Sequence, residues 1–233
     1  MSPLRITWFG HSTFLIQTPG GTRVLFDPWL TDNPACPAEL KKPPKVDLVL
    51  VTHGHPDHMG DVIVVARGSG APVVAAPEFC DWLRRKGLSA LLPLNIGGSL
   101  EAAGLRITMT DARHSSAYGE DGPMIYMGGP AGYVLRLEDG MTLYFAGDTA
   151  LFGDMRLIGE LYAPAVAFLP IGDRFTMGPA AAARACEMLG VRQVVPMHWG
   201  TFPLLTGTPD GLRAALAGTD VQVLELRPGE TAE

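Results

Sequence analysis

Cysteine is scarce: three residues in 233, Cys36, Cys80 and Cys186. An odd number at wide, unpatterned spacing excludes a disulfide framework and fits a reducing compartment. Charge is sparse as well, at 18% of residues, and Lys+Arg 18 against Asp+Glu 24 leaves a net charge of -6. No arginine-rich arm or global basic field is present to draw in nucleic acid. The apolar runs stop far short of the ~20 residues that a membrane span requires. The first residues show no charged-then-apolar leader. The expectation is a cytoplasmic protein with no nucleic-acid and no membrane partner. Hydrophobic residues make up 47% of the chain, which excludes a mainly disordered polypeptide and supplies a core for one domain over 1–233.

Glycine and proline, 28 and 20 residues, punctuate the chain into many short elements. Strands are expected at Leu4–Phe9, Thr13–Gln17 and Arg23–Phe26, with Gly20-Gly21 turning the chain between the last two. The nearly all-apolar run Asp47–Val51 reads as a strand buried on both faces. Strands and helices then alternate. Further strands are expected at Val73–Ala75, Leu105–Thr110, Gly132–Leu137, Met141–Phe145, Val166–Leu169, Val194–Pro196 and Val221–Leu226. Helices are expected at Glu78–Lys86, from an Asp154 N-cap to about Tyr162, at Pro179–Leu189 with Gly190 as its stop, and near Asp210–Leu216. This grammar describes a layered α/β protein with sheets inside and helices outside.

Three of the six histidines fall in one segment, His53-Gly54-His55-Pro56-Asp57-His58. The segment directly follows a buried strand, where Gly54 and Pro56 exclude a continuous helix and favour a rigid bend. Neutral imidazole is the commonest metal ligand. One loop is an incomplete site, because a divalent ion takes four or more ligands. His114, Asp148 and His198 each follow another expected strand. Seven side chains, five His and two Asp, suffice for two ions.

These motifs resemble the metallo-β-lactamase superfamily in its two-metal hydrolase form. Gly10-His11-Ser12-Thr13, Asp27-Pro28-Trp29, Phe175-Thr176-Met177-Gly178 and His198-Trp199-Gly200-Thr201-Phe202-Pro203 are similar to one branch. That branch is the UPF0173 metal-dependent hydrolases, themselves similar to bacterial sugar-phosphate lactonases. The resemblance implies a four-layer αβ/βα sandwich with the metals at its edge. It implies that His53, His55 and His114 hold one metal, that Asp57, His58 and His198 hold the other, and that Asp148 bridges them. Zinc is the first choice of metal, with manganese, iron, nickel and cobalt as alternatives.

Two such ions lower the pKa of a shared water toward ~7, so the expected chemistry is metal-bridging hydroxide attack on a small ester, lactone or related bond. A phosphodiesterase of the same superfamily and a non-catalytic metal-binding protein are the competing readings. His11 is a catalytic group near the substrate, with Asp57, or an extra metal ligand, or a structural histidine. Asp27 either accepts backbone N–H bonds beneath the metal loop or makes an ordinary Asp-Pro turn. Arg174 and Thr176 are substrate-binding candidates, Arg174 for an anionic group, the alternative being a solvent-facing arginine. Trp199 and Phe202 are expected in the pocket wall. The partner is a small-molecule substrate, with a homo-oligomer as a further expectation.

Overall fold

The computed structural model describes residues 2–42, 44–119 and 122–233. In chain order the first half contains β1 (Arg5–Trp8), β2 (Phe14–Gln17), β3 (Arg23–Phe26), β4 (Leu48–Leu50), α1 (Pro56–Met59), α2 (Val62–Ser69), β5 (Val73–Ala75), α3 (Pro77–Arg85) and β6 (Leu91–Pro93). The second contains β7 (Ser99–Ala102), β8 (Leu105–Asp111), β9 (Ala117–Tyr118), β10 (Ile125–Tyr126), β11 (Ala131–Arg136), β12 (Thr142–Phe145), α4 (Met155–Tyr162), β13 (Val166–Pro170), α5 (Pro179–Leu189), β14 (Gln193–Met197), α6 (Pro209–Ala215), β15 (Gln222–Val223) and β16 (Thr231–Ala232).

Two seven-stranded sheets result, ordered β16-β1-β2-β3-β4-β5-β6 and β15-β14-β13-β12-β11-β8-β7. Their inner faces share one core, in which Phe26 stacks on Phe145 at 4.2 Å between ring centroids. The outer face of the first sheet packs on α2 and α3 through Val62, Val65, Phe79 and Leu83. The outer face of the second packs on α4, α5 and α6 through Met155, Ile158, Ala182, Ala185 and Leu212. This is the expected α/β sandwich, with helices flanking two facing sheets.

Burial on both faces explains the unbroken apolar strands. Every residue of β4 and of β13 is buried, and each lies between parallel neighbours. The parallel runs β3-β4-β5-β6 and β12-β13-β14-β15 matter for function. Parallel strands put their C-terminal ends on one edge, and the loops leaving those ends converge there.

Several local expectations need correction. Pro56 ends the bend at once, because it occupies the first turn of α1 with His55 as N-cap, so Asp57 and His58 lie on a short helix. Asp154 is the N-cap of α4 by position, yet its side chain makes no capping bond. The last expected strand shrinks to Gln222–Val223, and the final sheet strand, β16, comes instead from Thr231–Ala232 pairing with β1.

Candidate metal centre

The site lies where the ends of β3, β4, β8, β12 and β14 meet the β1–β2 turn. Asp27 follows β3 and its two carboxylate oxygens organise the first loop. Oδ1 accepts the Thr52 N–H at 2.8 Å, and Oδ2 accepts the Thr52 hydroxyl at 2.7 Å. The same Oδ2 lies 2.8 Å from His58 Nδ1, which must donate to it. The Thr52 hydroxyl has one proton and gives it to Asp27, so it accepts from His53 Nδ1 at 2.9 Å. These bonds fix both ring orientations and turn the Nε2 atoms of His53 and His58 toward the site. Thr52 was not foreseen as a site residue; its position between Asp27 and His53 emerges only from tertiary structure.

The loop His53–His55 brings His53 Nε2 to 2.9 Å from His55 Nδ1. It is held from the other sheet by Ser116, whose hydroxyl accepts the Gly54 N–H at 3.1 Å. Ser115 lies 3.3 Å from His55 Nε2. Asp148 enters from the end of β12 through Gly147, whose φ is +62°. A Cβ at Gly147 would stand 2.6 Å from the Ala131 carbonyl oxygen and 2.9 Å from Thr52 Cβ, so a side chain is excluded there. Asp148 Oδ2 then lies 3.0 Å from His198 Nε2, 3.3 Å from His58 Nε2 and 3.6 Å from His114 Nε2.

His11 belongs to the same cluster. Its Nε2 donates to Asp57 Oδ2 at 3.1 Å, since a carboxylate only accepts, and its Nδ1 lies 3.0 Å from the Thr201 hydroxyl. The His11 carbonyl accepts both the Trp8 indole N–H and the His198 N–H, each at 3.0 Å, tying the β1–β2 turn to the end of β14. His11, Asp27 and His198 all hold positive φ, at 56°, 44° and 55°. Such conformations cost about 1–3 kcal/mol each outside glycine and persist where surrounding bonds over-determine them.

Ligand-type atoms thus gather into three overlapping groups: His53, His55 and His114; His53, His58 and Asp148; and His11, Asp57, His58 and His198. The donor set suits divalent ions. Asp27 and Asp148 are buried and Asp57 is largely so, yet their ion-pair partners among the described residues are histidines rather than lysines or arginines. His58 Nε2 and Asp148 Oδ1 are buried without a hydrogen-bond partner, and the imidazole comes within 3.3 Å of the other carboxylate oxygen, Oδ2. Orphaned polar atoms of this kind call for a ligand.

The electrostatics agree. Burial would lower His58, but the Asp148 and Asp27 carboxylates outweigh it and hold its pKa well above the ordinary value. Burial would raise Asp148, but the His198 and His58 imidazoles hold it well below the usual carboxylate range. Burial dominates at His53, His55 and His114 and lowers all three. It pushes His11 down to about 4, with His198 adding to the shift. Burial lifts Asp27, with His58 opposing it. Asp57 falls below its usual range because its bond from His11 and the charge of His58 overcome burial. Asp148 is thus held ionised by imidazoles alone, a charge balance that a bound cation would take over.

All seven residues proposed as ligands from sequence, together with His11, lie in this cluster. Arg174 and Thr176 do not. They sit in the loop after β13, which the Met177 N–H joins to the Thr149 carbonyl at 2.9 Å. Arg174 is exposed, and the Thr176 hydroxyl donates to the Met177 carbonyl at 3.3 Å. Phe202 borders the cleft beside Asp57. Trp199 instead stacks on Trp8 at 5.3 Å, because the left-handed turn at His198 sends it back toward the core.

The fold and this site define a member of the beta-lactamase superfamily: a family model for the beta-lactamase superfamily domain matches residues 22–199. Within it the chain belongs to the UPF0173 metal-dependent hydrolases. A relative from Rubrobacter xylanophilus so named is 52% identical over 97% of this chain and 95% of its own. Another, from Methanopyrus kandleri, is 46% identical over 99% of this chain and 100% of its own. Igni18, a metallo hydrolase from the hyperthermophilic archaeon Ignicoccus hospitalis, superposes with a TM-score of 0.86 at 39% identity, covering 98% and 97% of the two chains. An isothiocyanate hydrolase from Delia radicum gut bacteria shares the fold, with a TM-score of 0.77 at 23% identity over 98% of both chains.

Proposed function

We propose that the chain is a two-metal hydrolase acting on a small ester, lactone or related bond. The observation that carries this reading is Asp148 Oδ2, which lies 3.0–3.6 Å from three imidazole nitrogens delivered by three separate segments. His53, His55 and His114 would hold one ion; Asp57, His58 and His198 would hold the other, and Asp148 would serve both. Zinc suits this imidazole–carboxylate set, as do manganese, iron, nickel and cobalt. When bound, the ions supply a nucleophilic water at neutral pH and polarise the bond to be cleaved.

The protein's own groups supply orientation. Asp57 is the carboxylate of the three that reaches the cleft, with 28% of its side chain exposed against 0% for Asp27 and 2% for Asp148. It accepts a hydrogen bond from the attacking water and aims it at the substrate. His11 holds Asp57 in that pose through Nε2, and Thr201 steadies the ring from Nδ1. Arg174, exposed in the loop that the Met177 N–H joins to Thr149, would meet only substrate groups that extend beyond the cleft, and Thr176 is buried with its hydroxyl engaged by Met177.

The test joins metal analysis to turnover. Saturation with zinc or manganese is expected to give about two ions per chain and hydrolysis of a simple lactone or ester. Asp148→Ala should abolish turnover, at a cost of several kcal/mol of transition-state stabilisation, while circular dichroism stays native. Two ions without turnover across lactones, esters and phosphodiesters would favour a metal-binding protein. Activity within tenfold of the parent would remove Asp148 from the shared position.

A further inference from the structure

A cleft of about 490 Å³ opens directly beside Asp57, within the size range of small-molecule sites. Its walls are Trp29, Met59, Ile63, Trp82, Tyr118 and Phe202, with Asp32 and Asp57 the charged side chains that line it among the described residues. No lysine or arginine is among those lining residues. Arg85 and Lys86 line a separate hollow that also touches Trp82 and Tyr118. Lys86 lies over the Trp82 ring, 5.3 Å from its centroid.

The aromatic wall is held in place rather than incidentally exposed. Trp29 is tilted against Phe202 at 5.9 Å, and both contact the His11 ring edge-on, at 5.2 and 5.7 Å. Trp82 meets Tyr118 edge to face at 5.5 Å. Gly60 lets the indole of Trp29 lie against α1, since a Cβ there would stand 2.9 Å from Trp29 Cδ1. Asp61 accepts the Leu30 and Thr31 N–H groups at 2.6 and 3.0 Å, fixing the loop that carries Trp29. A ring-lined cleft with no lysine or arginine among its described lining residues, and with Asp32 at its border, accepts flat, uncharged groups and offers an anion no partner there.

We infer that this cleft is the substrate subsite for an uncharged aromatic group attached to the scissile bond. The inference rests on the hydrolase reading and narrows it: selectivity comes from ring contacts at Trp29, Trp82, Tyr118 and Phe202, not from an arginine that pairs with an anion.

Two measurements test it. For the metal-loaded enzyme, kcat/KM is compared for 3-phenylpropyl acetate, propyl acetate and 3-(4-carboxyphenyl)propyl acetate, whose reacting ester groups are alike. The phenyl ester should exceed the propyl ester by about tenfold or more, the factor that burial of one ring supplies. The carboxylated ester should fall below the phenyl ester by a similar factor. Phe202→Ala should shrink the phenyl-to-propyl ratio, and Asp32→Arg, an exposed change, should narrow the penalty on the carboxylate. Equal rates for phenyl and propyl esters, or a preference for the carboxylated one, would overturn the inference. Equilibrium dialysis of 3-phenylpropanol against the metal-free protein reads the cleft without catalysis. Saturable binding weakened by Phe202→Ala supports the subsite even where no ester is turned over, an outcome that would count against the hydrolase reading alone. Absence of saturable binding counts against the subsite whatever the esterase result.

Discussion

Thr52 shows how one uncharged residue sets the chemistry of its neighbours. Its hydroxyl gives its single proton to Asp27 and accepts one from His53, so the tautomer of His53 is settled by a residue that offers no ligand. Asp27 does the same for His58. Groups behind metal ligands raise ligand basicity and restrict ring rotation, and their loss costs 10–100-fold in metal affinity. Thr52→Val keeps the shape of the side chain and removes both bonds. The expected outcome is metal affinity lower by about 10–100-fold with a native circular dichroism spectrum, read by competition with a chromophoric chelator. Thr52→Ser should recover most of the loss. Equal affinity in Thr52→Val would mean that Asp27 and packing alone orient His53.

Individual elements differ in how plainly the sequence announces them. The strands β4 and β13 are apolar throughout, and burial on both faces makes that pattern unmistakable. The histidine motif and the residues at the ends of β12 and β14 were legible because parallel strands deliver their C-terminal loops to one edge, and β8, antiparallel to β11 as β12 is, ends on that edge too. The helix α2 was not legible. Its Val62-Ile63-Val64-Val65 run is β-branched and favours strand locally, but Val62, Val65 and Ala66 pack as one buried face, and packing overrides propensity. The pairing of β16 with β1 spans the length of the chain, and no local signal specifies it. His11 was legible as a residue of interest but not in its role, because its bond to Asp57 joins residues 46 apart in the chain. The turn Ala146–Asp148 carries a testable consequence at this scale. Gly147→Ala combines a φ of +62° with contacts that a Cβ cannot make. Stability should fall by about 1–3 kcal/mol in urea unfolding, and metal content should fall with it because Asp148 follows directly. Lowered stability with full metal content would show that the turn relaxes without moving Asp148.

Across the whole molecule, the site concentrates buried histidines in an otherwise mainly apolar interior, and this makes stability depend on pH in a definite direction. His11, His53, His55 and His114 all have folded pKa values below their ordinary value of 6.5, chiefly through burial. An unfolded chain therefore takes up protons below pH 6.5 that the folded metal-free chain refuses, so stability falls as pH drops and levels off below the folded values. For His11, with a folded value of about 4, the loss between pH 6.5 and 5 alone is about 2 kcal/mol. Asp27, raised by burial, opposes this slope below its folded value because the folded chain there binds the extra proton. His58 is raised, so its contribution is present below pH 6.5 and declines as pH rises toward its folded value. The metal-free protein should thus be most stable near pH 6.5–7, losing Tm on both sides and more steeply toward acid. Loading with zinc should raise Tm at neutral pH through linkage. It should also flatten the alkaline limb, because an ion takes over the charge that the His58 proton provides. Scanning calorimetry of both forms from pH 4 to 9 checks this. A metal-free Tm that stayed level from pH 7 to 5 would mean that the buried imidazoles reach solvent when the ions are removed.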